Sequence, residues 1–146
     1  ATDRGERGWD NEAWKAGYTT PRDELSTQLP DVMSLPADLV GTYYRNGGAK
    51  FEVGEQNEKV LHPFDADGMV SAATFFGNGS SFFRNRFVRT RPFQKEVIAG
   101  KMLYPGQFGN PRPVWAGGTT PKNVANTNVI YWAGRLLALW EGGQPH

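Results

Sequence analysis

Two runs rich in β-branched and aromatic residues, 69–76 and 81–90, are separated by Gly77-Asn78-Gly79. Residues of this kind accept positive φ, so the tripeptide turns the chain back on itself and makes the two runs neighbours in a hairpin. A second pair repeats the device: residues 128–132 and 135–141 flank Ala133-Gly134. Residues 39–45 carry Val40, Thr42, Tyr43 and Tyr44, which suit a pleated surface, and Gly47-Gly48 is expected to end that strand. Sequential hairpins of this sort define a mainly β chain of antiparallel strands. With 18 Gly and 10 Pro in 146 residues, turns are frequent and long helices are not expected.

Other segments read less regularly. Residues 1–35 are polar and broken by Pro21 and Pro30, with Pro36 just beyond, and are expected to form an extended N-terminal arm. Asp10 is placed to cap a short helix running through Trp14 to Gly17. The arm either hugs its own domain or docks on a partner through Trp9, Trp14 and Tyr18. Residues 36–146 make the β domain. Residues 52–59 read as a charged loop, 93–102 as a short helix, and 106–120 as a Gly- and Pro-rich loop. The run Leu136-Leu137-Ala138-Leu139-Trp140 is apolar on both faces, the pattern of a strand covered from both sides.

Several classes of function are excluded. A net charge of +1 gives no basic excess for binding nucleic acid. The absence of cysteine excludes disulfides and thiolate metal sites. No apolar run approaches the roughly 18 residues of a membrane span. The opening Ala1-Thr2-Asp3-Arg4, without Met, is read as a processed start, although a trimmed chain would begin the same way.

The two histidines, His62 and His146, lack metal-ligand spacing and a nucleophile context, so neither a metal site nor a hydrolase triad is expected. Asp65 and Asp67 followed by Gly68 resemble the start of a calcium loop. The position that requires a bidentate Glu is Phe76, so the motif reads as a turn held by Asx hydrogen bonds. Arg84 and Arg86 share one face of their strand and Arg89 and Arg91 the other. They are either ion-paired at a sheet edge or contacts for an acidic partner.

Six stretches in order resemble the carotenoid cleavage oxygenase family: residues 35–47, 62–70, 85–90, 99–102, 122–128 and 136–143. The ending Trp140-Glu141-Gly142-Gly143-Gln144-Pro145-His146 is most similar to the cyanobacterial apocarotenoid oxygenases. The resemblance implies part of a seven-bladed β-propeller. It also implies Fe(II), held on the propeller axis by four histidines from different blades, which activates dioxygen to cleave a conjugated double bond. All four histidine positions fall beyond residue 146. Glu141 matches a family glutamate that hydrogen-bonds an iron-ligating histidine, and His62 matches a histidine that is not a ligand. The chain departs from the family at Gly48, where Pro is usual and would fix a turn, and at Ala66, where Gly is usual.

With no catalytic residue and no metal or cofactor of its own, the chain is expected to be a non-catalytic relative. Its unpaired strand edges call for a partner. The expected role is a peripheral structural subunit of a larger, membrane-embedded, pigment-containing complex such as a thylakoid photosystem (I or II) in the chloroplast. The alternative is the N-terminal fragment of an iron-dependent carotenoid or apocarotenoid cleavage dioxygenase, located in a plastid or in cyanobacterial cytoplasm.

Overall fold

The computed structural model describes residues 11–30, 35–109 and 120–146. The chain is mainly antiparallel β. In order come helix α1 (Asn11–Ala16), strands β1 (Ser26–Gln28), β2 (Val40–Lys50), β3 (Glu52–Val53) and β4 (Glu58–Lys59), and a 3-10 turn (Pro63–Asp65). Strands β5 (Asp67–Phe76) and β6 (Ser81–Phe87), helix α2 (Arg91–Ala99), and strands β7 (Asn128–Trp132) and β8 (Arg135–Leu139) follow.

The main sheet has the order β1-β6-β5-β2. Both expected hairpins form. Gly77 and Gly79 take φ of 73° and 82°, and the Asn78 side chain accepts from the Ser80 N–H and hydroxyl. Ala133 and Gly134, at φ 48° and 77°, make the two-residue turn that matches strand twist, and β7 pairs with β8 from Asn128↔Leu139 to Trp132↔Arg135.

Several elements differ from the sequence reading, and the helix expected over 93–102 runs from Arg91 to Ala99. Strand β2 does not end at Gly47-Gly48; it runs to Lys50 through a register shift between Gly48 and Lys50. Gly48 therefore sits at a bulge rather than a turn, where a Cβ would meet Pro63 O at 3.1 Å and Ala66 Cβ at 3.2 Å. Residues 52–59 hold the small β3–β4 hairpin. Strand β6 stops at Phe87 because Thr90 caps α2, accepting from Phe93 N–H at 3.2 Å, and Gly100 in the left-handed region ends that helix. Strand β8 is not covered from both sides among the described residues: Ala138 is buried, but Leu136 remains 38% exposed, because β7 and β8 form a two-stranded ribbon to which no further described strand pairs.

Residues 11–30 are tied to their own domain. Thr20 N–H and its hydroxyl donate to Glu52, and Phe51 N–H donates to the Thr20 hydroxyl at 2.8 Å. Strand β1, in a stretch the sequence marks as irregular, pairs with β6 (Thr27↔Phe83). Among the described residues, Phe51, Val53, Met69, Phe93, Met102 and Val124 are buried core side chains.

Candidate functional site

The segment from Lys122 to Asn128 is the hub of the molecule. Lys122 Nζ reaches Glu96 Oε2 at 2.7 Å and Asp67 Oδ2 at 2.9 Å, and all three side chains are buried. Glu96 Oε1 also accepts from Leu103 and Tyr104 N–H. Burial works to lower the Lys122 pKa, but the attraction of Asp67 and Glu96 overcomes it and holds the ammonium charged. Burial pushes the Asp67 carboxyl up against the opposing pull of Lys122.

The next residues spread this anchor. Asn126 Nδ2 donates to Phe64 O and Ala66 O, and Asn46 Nδ2 donates to Ala125 O and Asn128 O. Gly68 lies so close to this segment that a Cβ would fall 2.1 Å from Ala125 O. Thr127 hydroxyl donates to Leu139 O at 2.8 Å, carrying the anchor into β8. Asn123 Nδ2 donates to Gln144 O at 2.8 Å, carrying it into the turn that holds Glu141.

A cleft of about 580 Å³ opens beside this hub, with Phe64, Phe108, Asn126, Thr127, Trp140 and Glu141 in its walls. Glu141 is exposed, and no hydrogen-bond partner for its carboxylate occurs among the described residues. The combination is an aromatic-walled cavity with one free carboxylate at its rim, suited to an apolar ligand and an external N–H donor.

The motif around His62 is structural. His62 Nδ1 accepts from Phe64 N–H at 3.2 Å, and its ring stacks on Phe108 with centroids 4.9 Å apart. Asp65 does not make a local Asx turn; its carboxylate accepts from the distant Gln107 and Phe108 N–H groups, which pins the 106–109 loop. Ala66 has φ −71°, so the usual glycine is not needed there. No group of three or more His, Cys, Asp or Glu is arranged to hold a metal among the described residues. The donors among the described residues do not by themselves make an iron site.

None of Tyr18, Arg84, Arg86, Arg89 and Arg91 stands in the wall of the cleft. Trp9 lies outside the described residues, and Trp14 is on α1. Tyr18 packs edge-on against Phe51 with centroids 5.7 Å apart. Arg86 donates to Leu25 O and Arg89 to Glu24 at 2.7 Å, so these two arginines fasten the chain's own β1 approach to β6. Arg84 and Arg91 are exposed, on β6 and at the start of α2. Sequence reading missed the roles of Lys122, Glu96 and Asn123, which bond to Asp67, Lys122 and Gln144 at positions distant in the chain.

The family of retinal pigment epithelial membrane protein matches residues 18–146. The chain belongs to this family, the carotenoid cleavage oxygenases. It is 47% identical to the apocarotenoid-15,15'-oxygenase of Synechocystis sp., over 97% of this chain and 29% of that protein. It is 34% identical to the chloroplastic carotenoid cleavage dioxygenase 7 of rice, over 88% of this chain and 22% of that protein. A solved Synechocystis apocarotenoid oxygenase variant superposes with TM-score 0.88 at 45% identity, over 97% of this chain and 30% of that one. The fold is therefore a portion of that enzyme's β-propeller. The Synechocystis structures include variants at a threonine, at a tryptophan thirteen positions later, and at the glutamate after it. Thr127, Trp140 and Glu141 have the same spacing and share one cleft wall.

These relatives overturn the reading as a non-catalytic subunit of a membrane-embedded photosystem complex at the thylakoid. The related proteins are oxygenases by name, and one solved structure is cobalt-substituted, as befits a metalloenzyme. The chain spans between about a fifth and three-tenths of their length, so histidines missing from it say nothing about lost chemistry. The described arm and two of the arginines make bonds within the chain itself. No helix among the described residues is long and apolar enough to cross a membrane.

Proposed function

We propose that this chain is the N-terminal portion of an iron-dependent oxygenase that cleaves a conjugated carbon–carbon double bond of an apocarotenoid or carotenoid. One dioxygen and one double bond give two carbonyl products. The observation that carries the reading is the cleft wall of Thr127, Trp140 and Glu141, in a chain 47% identical to an apocarotenoid oxygenase. When bound, the iron supplies dioxygen activation. Its histidine ligands belong to the rest of the protein.

The residues here have three tasks. Glu141 accepts the N–H of a ligating imidazole and fixes that ring's orientation, a role that its free carboxylate at the cleft suits. Phe64, Phe108 and Trp140 give the cleft aromatic walls compatible with a polyene. The exposed apolar side chains of β2 and β7, including Val40, Tyr43, Tyr131 and Trp132, are covered by the remaining blades. The relatives also support a cyanobacterial or plastid setting.

The test is to load the full-length protein with Fe(II) and incubate it aerobically with an apocarotenoid. Loss of the polyene absorption, two carbonyl products by mass spectrometry, and no turnover without dioxygen are expected. A folded, iron-loaded protein that leaves the apocarotenoid intact and cleaves a stilbene such as resveratrol would move the assignment to the resveratrol oxygenases, to one of which the chain is 38% identical.

A further inference from the structure

Glu141 stands on a turn that is locked from two sides while its own carboxylate is left free. Gly143 N–H donates to Trp140 O at 3.3 Å, closing the turn. The Trp140 ring lies over both glycines: a Cβ on Gly142 would fall 2.6 Å from the ring, and one on Gly143 would fall 2.9 Å from it. On the other side is the Asn123 carboxamide, 2.5 Å from the same Gly143 Cβ position. Asn123 Nδ2 donates to Gln144 O, and its Oδ1 accepts from Ala125 N–H at 3.0 Å. Ala125 itself is buried with φ 44°, so the segment that presents Asn123 passes through a backbone conformation that residues other than glycine rarely adopt. Beyond the turn, Ala138 and His146 exchange both backbone hydrogen bonds, at 2.6 and 2.9 Å, which fixes the far end.

We infer that Asn123 is a positioning residue: it clamps the 140–144 turn and thereby sets the direction of the Glu141 carboxylate. The inference rests on the reading of Glu141 given above and adds to it the group that aims it. A carboxylate that must meet an N–H on another part of the protein gains from being held before that partner arrives, because a hydrogen bond weakens steeply when its angle is lost. Asn suits the position because one amide both donates to Gln144 O and accepts from Ala125 N–H. Asp keeps the acceptor and loses the donor.

The experiment uses the full-length protein and four forms: wild type, N123D, E141Q and the double variant, with N123A as a harsher probe. Expected are a kcat about tenfold lower for N123D with KM little changed, and no further loss when N123D is added to E141Q. Amide hydrogen exchange of the metal-free protein supplies a reading independent of turnover. Residues 141–144 should exchange faster in N123D and remain as in wild type in E141Q. Equal losses from N123D in the wild-type and E141Q backgrounds would overturn the inference, since that is the behaviour of a general structural defect. A silent N123D would overturn it too. If E141Q itself is silent, the role of Glu141 falls and the inference falls with it; an E141Q defect with additive N123D sinks the inference alone.

Discussion

Lys122 Nζ lies 2.7 Å from Glu96 Oε2, joining the hub segment to helix α2 in a place where both side chains are almost wholly buried. With Asp67 on the other side of the ammonium, three parts of the chain meet at one charge. Removing that cation leaves two buried carboxylates facing each other. Lys122→Met should cost about 3–5 kcal/mol, the range for breaking a buried pair from one side. Denaturant unfolding measures it. A loss under about 1 kcal/mol would mean that the site is wetter than its geometry indicates.

Asp67 gives the same cluster a pH signature. Burial raises its carboxyl above the usual 3.8, although Lys122 pulls the other way. The folded state then holds the proton more tightly than the unfolded state. This contribution to stability is full below the unfolded value and is lost as pH rises through the raised one. Asp67→Asn removes the dependence. The stability of wild type minus that of the variant should therefore fall as pH climbs above about 4. A difference that rises with pH would show that the folded carboxyl is depressed instead.

Glu24 behaves in the opposite sense. Burial opposes its ionisation, but Arg89, the Phe87 N–H and Arg86 together hold its pKa below 4.5. Its contribution is present above 4.5 and lost as pH falls through the lowered value. Glu24→Gln should cost no more than about 1 kcal/mol at neutral pH, since the pair with Arg89 is partly exposed. Faster amide exchange across β1 is the accompanying readout.

Gly68→Ala should be far worse than its size suggests. The added Cβ falls 2.1 Å from Ala125 O and forces the hub away from β5. The Gly68 N–H to Val124 O bond, at 2.7 Å, would open as well. A loss above about 4 kcal/mol, or failure to fold, is expected. A near-neutral result in thermal unfolding would contradict the close approach.

The hairpins are legible in the sequence because their turns demand residues that accept positive φ, and Gly77, Gly79 and Gly134 supply them. Strand β1 is not: Ser26-Thr27-Gln28 has no apolar alternation, and its pairing comes from β6, far along the chain. Gly47-Gly48 misleads for a related reason, since two glycines mark a bulge as readily as a strand end. The charged cluster is drawn from positions 67, 96 and 122, which no local period connects. Glu141 enters through family resemblance alone. The cleft that gives it a setting needs Phe64, Phe108 and Trp140 brought together by the fold. Two histidines suggest lost chemistry only if the chain is whole, and that inference fails for a chain spanning 29% of its relative.

If residues 1–146 form a working part of an apocarotenoid-cleaving enzyme, they should function in place of a relative's own N-terminal segment. The most direct measurement replaces the matching N-terminal segment of the Synechocystis apocarotenoid oxygenase with this chain and follows apocarotenoid cleavage by the Fe(II)-loaded chimera. A folded, iron-binding chimera that yields the parent's two carbonyl products is predicted, with activity reduced by Glu141→Gln. A chimera that folds and binds iron but cleaves nothing would contradict the claim.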